Sequence, residues 1–120
     1  MNKSNKHIWD LWEVIAIKYL QKNGYTILDT NFKFWRFWEI DVITKKDDLT
    51  IFIEIKYRNN TNYWIPEESI TKYKLSKCKK TIEYYCKKYN INFWKIRFDA
   101  ITILKKEKSY KLTHYRNIEI

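Results

Sequence analysis

This chain of 120 residues predicts an α/β domain, a mixed β-sheet flanked by helices. Three observations point there. Two segments carry apolar residues at helical spacing, one near the N-terminus and one past the middle. Five shorter segments, between and after them, are rich in Ile, Phe, Tyr and Thr and read as strands. The resulting order is αβββαββ, with no internal repeat or linker.

The elements follow in chain order. Ile8 to Asn23 reads as a helix, because Ile8, Leu11, Trp12, Ile15, Ala16 and Tyr19 recur on one face. Gly24 is placed to cap it. Tyr25 to Phe34 reads as a strand, followed by the basic, aromatic bend Phe34-Trp35-Arg36-Phe37-Trp38. Glu39 to Lys45 and Thr50 to Tyr57 are two more strands, joined by the polar turn Lys46-Asp47-Asp48. Asn59 to Asn62 reads as a loop, and Pro66 blocks regular structure near it. Thr71 can cap a second helix running to about Tyr89, with Leu75, Cys78, Ile82, Tyr85, Cys86 and Tyr89 on its stripe. Lys95 to Leu104 and Tyr110 to Tyr115 complete the strands. Residues 8–118 are expected to form the domain and residues 1–7 a flexible N-terminus.

Composition bounds the function. No run of apolar residues is long enough for a membrane-spanning helix, and the N-terminus lacks the pattern of a signal peptide. Cys78 and Cys86 lie about 12 Å apart along one helix, too far to bond to each other, and read as small core-filling thiols. A cytoplasmic location is expected. The net charge of +10 points to a polyanionic partner, nucleic acid first, and no membrane is expected. Part of that charge reflects codon composition, since 20 of the 24 basic residues are Lys. No zinc spacing, Ser-His-Asp order or phosphate loop is present, and His7 and His114 read as surface residues.

The chemistry sits in two strands. Strand-like Trp38-Glu39-Ile40-Asp41-Val42-Ile43 and Ile51-Phe52-Ile53-Glu54-Ile55-Lys56 hold charges among apolar residues, where a charge must be paired or bind a metal. Glu54 and Lys56 share one face by strand alternation. If the hairpin closes with Lys46 opposite Leu49, Asp41 falls opposite Glu54, with Cβ atoms about 5 Å apart. Two such carboxylates repel unless a cation sits between them, and hard oxygen ligands suit Mg²⁺ or Mn²⁺. Lys56 can then orient a water or act as a point charge on a phosphoryl group. A cross-strand salt bridge of Asp41 or Glu54 with Lys56 accounts for the same residues. Glu13, at the edge of the first helix's apolar stripe, is either a third carboxylate or a solvated acid.

Several pieces together resemble one family. They are Trp12-Glu13-x-x-Ala16-x-x-Tyr19-Leu20, Asn31-Phe32-Lys33, Trp38-Glu39-Ile40-Asp41-Val42-Ile43, Phe52-Ile53-Glu54-Ile55-Lys56-Tyr57-Arg58, Thr71-x-x-Lys74 and Arg97-Phe98-Asp99. The chain is identified by them as resembling the YraN-like family, over about Ile8 to Ile118. That is an uncharacterised bacterial family with a restriction-endonuclease-like fold, related to Holliday-junction resolvases. The resemblance implies a PD-(D/E)xK-type site of Glu13, Asp41, Glu54 and Lys56, with Ile40 in place of the motif's proline. It implies a Mg²⁺-dependent (or Mn²⁺-dependent) endonuclease acting on DNA, branched or damaged, and a homodimer. The alternative is a nuclease-derived module that binds nucleic acid without cutting. Lys33, Arg36, Arg58 and Lys74 are candidate phosphate contacts, or ordinary surface charges.

One departure is systematic. The family carries glycine where this chain has Trp9, Trp12, Trp38 and Trp64, and Trp35 and Trp94 also stand at turn-like places. The chain has six Trp and a single Gly. The largest side chain cannot replace glycine where φ is positive or backbones approach closely. The expectation is that these codons are UGA, read as glycine in the source organism. The rival expectation keeps Trp35 and Trp38, with Phe34, Phe37, Lys33 and Arg36, as a stacking platform for unpaired bases.

Overall fold

Helix α1 (Lys3–Lys22) opens the chain, followed by β1 (Thr26–Phe34), β2 (Trp38–Lys46) and β3 (Leu49–Arg58). Helix α2 (Lys72–Lys88), a 3₁₀ turn at Phe93–Lys95, β4 (Ile96–Lys105) and β5 (Tyr110–Tyr115) complete the order αβββαββ. This computed structural model describes residues 3–36, 38–58 and 72–120, and within them the side chains from residue 11 onward. The Thr71 cap, the loop at Asn59 to Asn62, Pro66, Phe37 and Trp64 lie outside the described residues, as do the side chains of His7 and Trp9. Helix α1 starts five residues before the periodicity begins, at Lys3 rather than Ile8. Its first turn, Lys3 to His7, holds no apolar residue to register a stripe.

Both helices end in the same way. Beyond α1, Tyr25 N donates to Leu20 O (2.9 Å) and Gly24 N to Gln21 O (3.1 Å). Gly24 takes φ +89°, so the expected cap is a Schellman turn. Beyond α2, Ile91 N donates to Cys86 O (2.8 Å) and Asn90, at φ 55°, stands where Gly24 stands. The two turns satisfy end carbonyls and send the chain back towards the sheet.

The described residues form one five-stranded sheet in the order β1-β2-β3-β4-β5. Its pairs are antiparallel except β3 with β4, which run parallel and are linked through α2. The β2–β3 hairpin closes at Lys46↔Leu49, as expected, with Asp47 at φ 55° in its turn. Strand alternation sorts the apolar residues into two layers. Val42, Ile51, Ile53, Ile101 and Ile103 pack against Ala16 and Leu20 of α1. Ile40, Ile43, Phe52, Phe98 and Ala100 pack against Cys78, Ile82, Tyr85 and Cys86 of α2. Both cysteines are free and buried. Among the described residues, no helix is long and apolar enough to cross a membrane.

The β1–β2 pairing shifts register between Ile27 and Asp29, and alternation also fails within β2. Ile40 and Ile43 both belong to the α2-side layer, although they stand three positions apart, and Val42 belongs to the other. The break coincides with Asn31 of β1, at φ 51°, between the pairs Thr30↔Val42 and Phe32↔Ile40. Asp41 sits at this irregularity.

Candidate functional site

The β2–β3 ladder runs from Lys46↔Leu49 to Val42↔Ile53. Beyond it the Asp41 side chain takes over, its Oδ2 accepting from Ile55 N at 2.7 Å. A carboxylate thus replaces a carbonyl where β2 leaves β3. Glu54 follows on β3, 4% exposed and on the α2 side with Phe52. Burial pushes the Asp41 carboxyl up to about 6, against the Ile55 N–H and the Lys56 charge, which lower it. Burial, and then the charge of Asp41, push Glu54 well above the usual range, while Lys56 pulls it down. Asp41, Glu54 and Lys56 thus feel one another's charge, although the ladder ends at Val42↔Ile53, one pair short of the expected opposition of Asp41 and Glu54.

Trp38 lies against the same pair. Its indole lowers the Glu54 pKa, yet no hydrogen bond of ordinary geometry joins the two. Trp38 Nε1 and Glu54 Oε1 are both buried without a hydrogen-bond partner. The Trp38 carbonyl accepts from Thr81 Oγ1 at 3.0 Å, which fastens this end of β2 to α2. Concavities of about 230 Å³ and 250 Å³ occur elsewhere, lined by Phe93 and Ile118 in one and Tyr25 and Lys46 in the other.

The donors fit a hard divalent cation. A half-buried and a buried carboxylate oppose each other's charge, and one Glu54 oxygen lacks a donor among the described residues, a deficit a cation would remove. Glu13 is half-buried on α1, with Oε1 shielded from solvent. Its helix packs on the face of the sheet opposite α2, and among the described residues no three His, Cys, Asp or Glu side chains converge to hold a metal. Two carboxylates are what Mg²⁺ typically uses, with water and phosphate oxygens as the other ligands.

The four cationic candidates scatter round the site. Lys33 stands opposite Glu39 across β1 and β2. Arg36 lies 5.8 Å from the Trp35 ring centroid at the hairpin tip. Arg58 NH1 donates to Tyr57 O at 2.9 Å. Lys74 is on the first turn of α2, whose Cys78 thiol is pushed up by burial and then by Glu54.

A second polar cluster was not foreseen. Asp99, fully buried, accepts from Arg97 Nε and NH2 (both 2.9 Å) and from Asn117 N (2.9 Å), and pairs with His114 Nε2 (2.8 Å). His114 Nδ1 meets Tyr19 OH at 2.9 Å and Arg97 NH2 donates to Tyr25 OH at 3.0 Å. His114 is therefore not a surface residue, since its side chain is 5% exposed. Only the pairing of β5 with β4 brings it to Asp99. Burial alone would raise the Asp99 pKa, but His114, Arg97 and the Asn117 N–H outweigh it and hold the carboxyl below its usual value. The sequence signal was Asp99 in a strand of apolar neighbours.

Comparison with known proteins bears on the whole of this frame. The model of an uncharacterised protein family, UPF0102, matches residues 12–103. A UPF0102 protein of Clostridium beijerinckii is 39% identical over 119 residues, 98% of this chain and 96% of its own. One from Clostridium tetani is 42% identical over 87% of this chain and 84% of its own. One from Syntrophomonas wolfei is 39% identical over 89% of this chain and 93% of its own.

Proposed function

The chain belongs to the uncharacterised UPF0102 (YraN-like) family, and from that premise we propose that it is a metal-dependent endonuclease of restriction-endonuclease-like fold acting on DNA. The observation that carries the reading is the pair of half-buried Asp41 and buried Glu54 where β2 parts from β3, with Lys56 charging it from the strand of Glu54. Asp41 and Glu54 would hold Mg²⁺ or Mn²⁺ through carboxylate oxygens. The cation, when bound, lowers the pKa of a coordinated water and offsets charge on the scissile phosphate. Ile55 N–H fixes one Asp41 oxygen and so orients the carboxylate. Lys56 supplies positive charge for the attacking water or the phosphoryl oxygens. Glu13 supports the site from α1. Branched or damaged DNA is the substrate class, a homodimer the form that meets a two-fold junction, and the cytoplasm the location.

A second reading has its own observation. Trp38 lies beside Glu54, one of whose carboxylate oxygens is buried, which favours a domain that binds nucleic acid without cutting it. A panel of junction, flap, duplex and single-stranded DNA with Mg²⁺ or Mn²⁺ separates the two. Nuclease chemistry predicts cleavage that disappears in Asp41→Ala and Glu54→Ala while both variants stay folded. Persistent cleavage in both would refute these roles. Salt-sensitive binding with no cleavage would favour the binding module.

A further inference from the structure

The positive charge of this protein is concentrated on α2. Seven of its 17 residues are Lys and one, Glu83, is acidic. In the 20 residues of α1 there are four Lys and two acids, so codon bias alone does not explain the difference. The lysines are interleaved with exposed rings. Tyr73, Lys77, Lys80 and Tyr84 follow one another at three- and four-residue spacing, which aligns them along one face. Tyr73 is 69% exposed, with Lys77 Nζ 5.2 Å from its ring centroid. Tyr84 is 37% exposed and stacks on Phe34 of β1, with centroids 4.1 Å apart and ring planes 11° from parallel. Arg36, at the hairpin tip two residues past Phe34, adds a further cation beside these rings. The opposite face of α2 is spent on the core through Cys78, Ile82, Tyr85 and Cys86.

We propose that this face of α2, with the end of β1, is a track for single-stranded nucleic acid. Lysines neutralise phosphates, and ring faces stack on bases, which only unpaired bases offer. A lipid surface fits less well, because a membrane-binding helix needs an apolar face to insert and that of α2 is already buried. The same helix borders the acidic pair, through the Thr81–Trp38 hydrogen bond and through Cys78, whose thiol feels Glu54 and Lys56. A strand laid along the track ends beside Asp41 and Glu54. That last step rests on the nuclease reading; the binding does not.

Binding is measured without catalysis. Labelled oligo-dT, oligo-rU, a matched DNA duplex and anionic vesicles are titrated with the whole protein in chelator, over a range of salt. Single strands should bind more tightly than the duplex, and vesicles hardly at all. Tyr73→Ala and Tyr84→Ala should each weaken single-strand binding by about 5- to 100-fold, with Tyr84→Phe restoring it. Lys77→Ala with Lys80→Ala should flatten the dependence of log K on log salt by about 1.4. Tyr73 is exposed enough that its loss leaves the fold intact, so it guards against an unfolded Tyr84 variant. Unchanged binding in the folded Tyr73 and Tyr84 variants, preference for duplex, or binding to vesicles alone would overturn the track. A protein that binds in this way but cuts nothing keeps the track and loses the nuclease. One that cuts with both tyrosines dispensable keeps the nuclease and loses the track.

Discussion

At the scale of single residues, the acidic pair is a liability that the fold carries. Asp41 has its pKa raised to about 6, and Glu54 is raised too, so the folded chain holds protons that the unfolded chain releases near 3.9–4.3. The stabilising protons are in place below that unfolded value and are lost as the pH rises through about 6. In chelator, the midpoint of thermal unfolding should therefore fall between pH 4.5 and 7. Glu54→Gln should raise it by several degrees at pH 7 and flatten the slope. A lower midpoint in Glu54→Gln would contradict the account. The tryptophans carry a second strain. Positive φ among the described residues falls on Gly24, on Asn or Asp, and on Trp35 at 51°, where a bulky side chain is an outlier. Trp94 is 92% exposed, and Trp38 buries an N–H beside Glu54. Trp35→Gly should gain about 1 kcal/mol in urea unfolding. The gene should read UGA at the six Trp positions, and the protein from its own host should be lighter by the Trp-to-Gly difference at each. UGG codons there would end this explanation.

At the scale of elements, the strands and their hairpin were the most legible part. The polar turn Lys46-Asp47-Asp48 fixes the register Lys46↔Leu49, and that register carries the ladder to Val42↔Ile53, next to Asp41 and Glu54 in the chain. Helix α1 was legible where its stripe is apolar and silent at Lys3 to His7. The Asp99 cluster was not legible, because its members are far apart in the chain and join only when α1, β4 and β5 meet. It ties those elements together. Asp99→Ala should cost about 3–5 kcal/mol, since it strands the Arg97 and His114 partners, and urea unfolding will show it. Asp99 titrates in the opposite sense to the acidic pair. Its contribution is present above the unfolded value near 3.9 and is lost as the pH falls through that value to the lowered folded one.

At the scale of the whole molecule, the acid pair and the basic helix meet on one side of the sheet. A cation bound to the folded chain alone stabilises it by mass action. Mn²⁺ at about 100 times its dissociation constant should add about 2.7 kcal/mol, readable as a rise in the unfolding midpoint. The rise should vanish in Asp41→Ala. A rise that survives would place the metal elsewhere. The sequence by itself determined the element order, the hairpin register and the acids at its heart, because turn chemistry and alternation are local. Only the tertiary structure decided that β2 parts from β3 at Asp41, that Trp38 lies beside Glu54, and that the His114 side chain is buried against Asp99. Each of those depends on which residues a distant element presses into contact, and no local pattern encodes that.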